Sequence, residues 1–267
     1  MKKKLLSLGL ILTMVFTMFA FTGCGGSTEE AGSDAEYVQG NGKIVVGITD
    51  FAPMDYKDDN GEWIGFDADM AKAFAESLGV EAEFIEIDWD SKEMELENKS
   101  IDVVWNGMTL TDAVKEAMET SNAYCNNAQV VVVNKDVADK YKEKEDCADL
   151  NFAVETGSAG EEAANSEGWA AVGVQTQAAA LMEVAAGTAD AAIIDLLMAG
   201  AMIGKGTSYE DLTYTCELTS EEYGAGFRKG SDLAQKLNDF MVQAYGDGTM
   251  QKIAKKYGTQ ESLIEQK

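Results

Sequence analysis

The sequence predicts an α/β protein of two lobes, and three observations carry that expectation. Short β-branched runs alternate with segments of helical apolar period. The alternation runs once, is interrupted by a buried-type strand at Gln129 to Asn134, and then begins again. About 225 residues follow the N-terminal leader and its polar extension, enough for one large domain or two lobes of about 100 residues each. Each lobe is expected to hold a mainly parallel sheet flanked by helices, and clefts between lobes are preferred ligand sites.

The elements follow in order. Lys43 to Ile48 is a β-branched strand, Thr49 to Asn60 a loop, and Gly65 to Leu78 a helix spaced through Phe66, Met70, Phe74 and Leu78. Val80 to Ile87 alternates as a strand, Ser91 to Asn98 reads as a helix, and Ile101 to Trp105 is a third apolar run. After the crossing strand come Phe152 to Val154, a Gly-rich turn at Gly157 to Gly160, and a helix from Glu161 to Asn165. Strand Val172 to Val174, helix Ala178 to Ala186 and strand Ala191 to Ile194 continue the second series. Tyr223 to Arg228 offers a return strand, and Asp232 to Tyr257 is helical with a break at Gly246 to Gly248. The boundaries expected are 43–130 plus 223–267 for the first lobe and 131–222 for the second.

Residues 1–23 read as a signal peptide, with Lys2, Lys3 and Lys4 ahead of an apolar stretch from Leu5 to Phe21. That stretch is about 17 residues long and ends at Cys24, short of the roughly 20 that a membrane-spanning helix requires. Phe21-Thr22-Gly23-Cys24 resembles the bacterial lipobox, which makes Cys24 the expected lipidation site. Residues 24–42 are rich in Gly, Ser, Glu and Asp, bury little, and are expected to form a flexible tether.

Composition narrows the function further. The chain carries 21 Lys and Arg against 47 Asp and Glu, a formal charge of −26, and loss of the leader's three lysines would make it more acidic. Nucleic acid is a poor partner for such a field. Histidine is absent, which removes the commonest general base and the commonest metal ligand. No metal, cofactor or catalytic chemistry is expected. Beyond Cys24 stand Cys125, Cys147 and Cys216; an exported location would permit a Cys147–Cys216 disulfide, and buried thiols are the other reading.

Several separate motifs converge along residues 43 to 258. They are Ala52-Pro53-Met54-Asp55-Tyr56 with Gly61 to Asp67, and Ile101-Asp102 leading to Gly107-Met108-Thr109-Leu110-Thr111. Later come Glu155-Thr156-Gly157-Ser158, Ala189 to Asp195, Glu222 to Gly230 and Asp247 to Ile253. In this order and spacing the chain resembles the extracellular solute-binding proteins of family 3, the polar amino-acid receptors of ABC importers. The resemblance implies the type II periplasmic-binding-protein fold, with the ligand cleft at the hinge. It also implies a small-molecule ligand, an amino acid or related amine, and a membrane permease as partner. The expected state is a lipid-anchored monomer on the outer face of the bacterial cell membrane.

Candidate ligand-binding residues are Phe51, Trp89, Gly107, Thr109, Ser158 and Asp195. Phe51 lies in the first strand-to-helix loop, where an aromatic face could stack on a ligand or simply pack. Trp89 and Trp105 sit at comparable loop ends, and either could wall a pocket or be buried. Gly107 and Thr109 follow the third strand, where backbone groups and a hydroxyl could bind a carboxylate, while Thr111 could simply cap the next helix. Ser158 to Glu161 fits a capping box, compatible with anion contact at the same helix start. Asp195 ends an uncharged strand, and the resemblance assigns it the ligand's α-ammonium through a charge-assisted hydrogen bond.

One departure bears on specificity. The family's arginine for the ligand carboxylate would stand three residues after Thr111, where this chain has Val114. Lys115 is turned away by about 100° on a helix, and the chain's one arginine is Arg228, in the return strand. Loss of the guanidinium would weaken ordinary amino-acid binding by roughly 1.5–3 kcal/mol without another donor. One alternative is therefore a ligand lacking a free carboxylate, such as an amine or peptide-like solute. Because fold does not fix output, a receptor-associated sensor is another, and the resemblance to a wider fold with catalytic members leaves an enzyme of the dehydratase type as the third.

Overall fold

The computed structural model describes residues 33–267; the leader, Cys24 and the expected tether up to residue 32 lie outside the described residues. The first sheet is built from β1 (Lys43–Ile48), β4 (Glu81–Glu86), β5 (Val103–Thr109), β6 (Glu119–Thr120), β7 (Cys125–Asn127) and β13 (Glu221–Phe227). Its order is β4-β1-β5-β13-β6, with β7 also paired to β13. A small hairpin, β2 (Tyr56–Lys57) with β3 (Trp63–Ile64), precedes helix α2 (Phe66–Leu78). The second sheet contains β8 (Gln129–Asn134), β9 (Asn151–Glu155), β10 (Ala170–Val174), β11 (Ala191–Asp195) and β12 (Leu212–Glu217), in the order β10-β9-β11-β8-β12.

Both sheets are mixed. β4, β1 and β5 run parallel, as do β10, β9 and β11, while β13 and β8 add antiparallel to the edge of each parallel set. The reason is the double crossing: β8 enters the second sheet from the first, β13 returns from the second, and each arrives against the local direction. Local periodicity reveals the alternation of strands and helices, but not the direction of a strand whose neighbour is distant in sequence.

Side-chain alternation on β5 sends Val103 and Trp105 into one apolar cluster with Phe74, Tyr124 and Phe227, and Val104 and Met108 into another with Trp89, Leu96 and Val114. Trp105 is therefore core. In the second sheet, β8 is buried on both faces: Val130 and Val132 pack under α6 (Gln177–Ala186), and Val131 and Val133 pack with Phe152 and Ala164 of α5 (Ala159–Glu167). Cys147 and Cys216 are buried in that second cluster as free thiols, with Sγ atoms 4.0 Å apart.

The tether expectation is corrected from Ser33 onward. Asp34–Asn41 forms helix α1, capped by Ser33 and closed by Gly42 in the left-handed region. Ala35 and Val38 are buried against the first lobe. Ser33 Oγ donates to Asp232 Oδ2 at 2.6 Å, and the Ala35 amide donates to Asp232 Oδ1 at 3.0 Å. Two small apolar residues spaced three apart are a weak sequence signal; the polar cap and ion pair to distant partners supply what composition does not display. The remaining helices are α3 (Lys92–Glu97), α4 (Asp112–Ala117), α7 (Leu196–Met202), α8 (Leu233–Gly246) and α9 (Thr249–Tyr257). Among the described residues no helix is long and apolar enough to cross a membrane.

A candidate solute site between the two sheets

Open α/β sheets hold ligands beyond the carboxyl ends of their strands. Here the ends of β1 and β5 from the first sheet meet the ends of β9 and β11 from the second around a cavity of about 300 Å³. Phe51, Trp89, Gly107, Thr109, Ser158 and Asp195 all line it. So do Val114, Lys92, Glu155 and Gln177.

Asp195 is 4% exposed, and its carboxylate is held by neutral donors from the first sheet and from helix α6. Oδ1 accepts from Asn127 Nδ2 at 2.5 Å and Tyr223 Oη at 2.6 Å, and Oδ2 accepts from Gln177 Nε2 at 2.5 Å. Although it opens α7, Asp195 makes no capping bond with its side chain. Burial raises its pKa to about 7, Glu221 adds to the rise, and the hydrogen bonds from Tyr223 and Gln177 oppose it. A carboxylate so placed has its orientation fixed but its charge uncompensated.

The polar connection continues across the hinge. Glu221 Oε1 accepts from Asn127 Nδ2 at 2.6 Å, Gln129 Nε2 at 2.8 Å and Thr109 Oγ1 at 2.9 Å. Thr109 thus lines the cavity with its hydroxyl proton already engaged. Gly107 likewise differs from the expected free amide: its N–H donates to buried Asp67 Oδ2 at 2.6 Å, beside Tyr124 Oη at 2.7 Å. What Gly107 supplies is space, since at φ +53° a Cβ would fall 2.3 Å from the Phe51 ring. Phe51 packs edge-on to Tyr223 with ring centroids 6.3 Å apart, so it is both core and cavity wall.

Thr111 caps α4, its Oγ1 accepting from the Val114 amide at 3.2 Å. Ser158 caps α5 by accepting from the Glu161 amide at 3.2 Å, while Glu161 Oε2 accepts from the Gly157 amide at 2.8 Å. The Ala159 amide, in the first turn of that helix, has no intrahelical acceptor.

Three contributors escaped sequence reasoning. Glu155 ends β9, is 3% exposed, and its Oε1 has no partner. Burial followed by the Asp195 charge raises its pKa to about 8. Gln177 begins α6 as an unremarkable polar residue, yet it clamps Asp195 through both Nε2 and Oε1, the latter accepting from the Asp195 amide at 2.8 Å. Lys92 falls within the Ser91 to Asn98 segment expected as a helix, with nothing there to single it out, and is 7% exposed at the cavity edge. Glu155 alone left a signal, as an acid within a strand-to-turn motif. Among the described residues no cluster of His, Cys, Asp and Glu could hold a metal ion.

Two mixed α/β sheets, crossed twice by the chain and enclosing a polar cavity at their strand ends, define a two-lobed solute-binding protein. Bacterial extracellular solute-binding proteins, family 3, match residues 44–260, and the chain belongs to this family. It is 29% identical over 259 residues to the arginine-binding extracellular protein ArtP of Bacillus subtilis (strain 168), covering 94% of this chain and 98% of that one. A Streptococcus pneumoniae ABC uptake transporter substrate-binding protein with bound histidine superposes with a TM-score of 0.79 at 28% identity, over 88% of this chain and 99% of that one. The ancestral amino-acid-binding protein AncCDT-1, a precursor of cyclohexadienyl dehydratase, gives 0.77 at 33% identity, over 84% and 99%.

Proposed function

We propose that the protein captures an amino acid in the cavity between its lobes and delivers it to the permease of an ABC importer. The observation that carries this reading is Asp195, a buried carboxylate oriented by Asn127, Gln177 and Tyr223 and left without a cation of its own. A ligand ammonium supplies the missing charge, and exclusion of water strengthens the bond. The arginine and histidine named for relatives support an amino-acid ligand. Phe51 and Trp89 wall the ligand stem, and Thr109, Ser158 and the space left by Gly107 shape its other end.

Binding would close the lobes about the paired crossings at Ala128 and Leu218 to Ser220, and the closed form would dock on the permease. Anchoring through lipidated Cys24 after removal of residues 1–23 would keep the protein beside that partner. The role is capture and release, with no covalent step.

The test is a thermal-shift screen of residues 33–267 against the free amino acids, their carboxamides, polyamines and short peptides. A ligand at about 100 times its dissociation constant adds about 2.7 kcal/mol of stability. A shift with amino acids that Asp195→Asn abolishes supports the reading; silence across the panel overturns it. Val114 favours a second reading, in which the ligand lacks a free carboxylate, and shifts confined to amines and carboxamides would select it.

A further inference from the structure

We propose that Lys92 receives the anionic group of the ligand, doing from α3 what no arginine does from position 114. The inference rests on the solute-capture reading and adds to it the atom that holds the carboxylate.

The other cations are placed elsewhere. Val114 is buried in the apolar cluster beneath the cavity. Lys115 lines the adjoining opening rather than the cavity itself. Arg228 is committed to Asp34, Asp102 and two main-chain carbonyls. Among the described residues Lys92 is the one basic side chain lining the cavity.

Its surroundings orient the ammonium without neutralising it. Nζ donates to the Trp89 carbonyl at 3.1 Å and the Gly157 carbonyl at 3.0 Å, and lies 4.9 Å from the centre of the Trp89 ring. No carboxylate oxygen of the described residues lies within 4.0 Å of it. An ammonium has three N–H bonds, and the two carbonyls use two of them. Burial lowers the Lys92 pKa, while Glu93, Glu155, Asp90 and Glu161 oppose that shift from farther away.

The position of this ammonium matters as much as its charge. The carbonyl it holds belongs to Gly157, one residue ahead of Ser158 and two ahead of the first residue of α5. A carboxylate lodged there would accept from Lys92 Nζ, the Ser158 hydroxyl and the Ala159 amide, with the helix N-terminus favouring negative charge. Glu93, Glu155 and Glu162 also line the cavity, and Glu161 already accepts from the Gly157 amide at the same helix end. These acids disfavour a bare anion. A zwitterion, whose ammonium meets Asp195 and Glu155, is accepted.

The test compares L-arginine and L-histidine with L-argininamide and L-histidinamide by calorimetry. The proteins are the wild type, Lys92→Gln, Lys92→Arg and, as a control, Lys115→Gln. Lys92→Gln is expected to weaken the two amino acids about tenfold or more while changing the carboxamides about threefold or less. Lys92→Arg should retain most of the affinity, and Lys115→Gln should match the wild type. Equal loss for acids and carboxamides would make Lys92 only a latch between two carbonyls and overturn the proposal, as would undiminished binding. Carboxamides that bind the wild type more tightly than the acids would overturn it too, while leaving solute capture intact, and that ratio needs no variant. Absence of binding by all four compounds would overturn the proposal as well, since no carboxylate would then be held at Lys92, whereas solute capture itself is decided by the wider amino-acid screen.

Discussion

Tyr223 and Asp195 meet across the hinge: the tyrosine hydroxyl, on the strand returning to the first sheet, donates to Asp195 Oδ1 at 2.6 Å at the end of a strand of the second. Tyr223 is fully buried, and burial and the Asp195 charge raise its own pKa well above the ordinary value, so it stays protonated and donates. The charge that would meet a ligand ammonium is therefore set jointly by both lobes. A shift of one lobe against the other would alter the acceptor itself.

Tyr223→Phe tests that joint control. The lost bond favoured the ionised carboxylate, so the Asp195 pKa should rise further above about 7, leaving more of it neutral at a given pH. Affinity for an ammonium ligand should fall about tenfold at pH 6.5, and the gap to wild type should narrow by pH 8.5, where both proteins ionise. Calorimetry at the two pH values measures this. Parallel curves would show that Tyr223 merely fills space.

The unliganded protein should lose stability as pH rises from about 4 to about 8. Burial raises the pKa of Asp67 and Asp195 to about 7 and Glu155 to about 8, and with the Asp67 charge it lifts Asp55 well above the usual carboxylate range. All four exceed their unfolded values, so at these sites the folded state holds more protons than the unfolded one across this window. Their contribution is complete below about pH 4 and is lost as pH climbs through the folded values. Thermal melts from pH 4.5 to 8.5 should decline, and Glu155→Gln should flatten the part above pH 7. A rising profile would contradict the sign.

Gly157 carries the close approach of the two lobes. Its φ is +74°, and an added Cβ would lie 2.8 Å from the Asp90 Cα in the facing lobe. Gly168 has a similar φ of +70° with nothing near its absent side chain. Gly157→Ala should weaken ligand binding about tenfold or more because it obstructs closure, whereas Gly168→Ala should cost about 1 kcal/mol of stability and leave affinity unchanged. Denaturation and calorimetry on both variants separate backbone strain from lobe contact.

How much of this was legible in the sequence depends on distance along the chain. β1, α2, β11 and α6 announce themselves through local period, and the glycine and threonine motifs mark the strand-end loops that meet at the cavity. The antiparallel β8 and β13 depend on partners far away in sequence, and α1 is held by Asp232 and Arg228 nearly two hundred residues on. Site chemistry follows the same division. Asp195 follows an uncharged strand and stands out; Gln177 and Lys92 gain meaning only from the carboxylate and carbonyls that the fold brings to them. The Gly107 amide, which a loop position suggests is free, is engaged by Asp67 forty residues earlier.

Arg228, the chain's one arginine, is predicted to act in stability and not in recognition. It is largely buried: Nε lies 3.1 Å from Asp34 Oδ2, Nη2 lies 3.1 Å from Asp102 Oδ1, and Nη1 donates to the Leu96 and Ile101 carbonyls at 3.3 and 2.8 Å. Asp102 Oδ2 in turn accepts from the Val45 amide at 2.9 Å, tying β1 into the same cluster. Arg228→Met would leave two part-buried carboxylates and two carbonyls without their donor, and removing one partner of such a pair costs about 3–5 kcal/mol. Lysine cannot reproduce the planar fork that reaches four acceptors at once, so Arg228→Lys should recover less than half of the loss. Because Asp34 opens α1, undocking of that helix should appear as faster proteolysis between Ser33 and Gly42. Denaturant melts and limited proteolysis check both effects, while ligand affinity stays at the wild-type level. A stability change below about 1 kcal/mol would place this cluster among ordinary surface ion pairs.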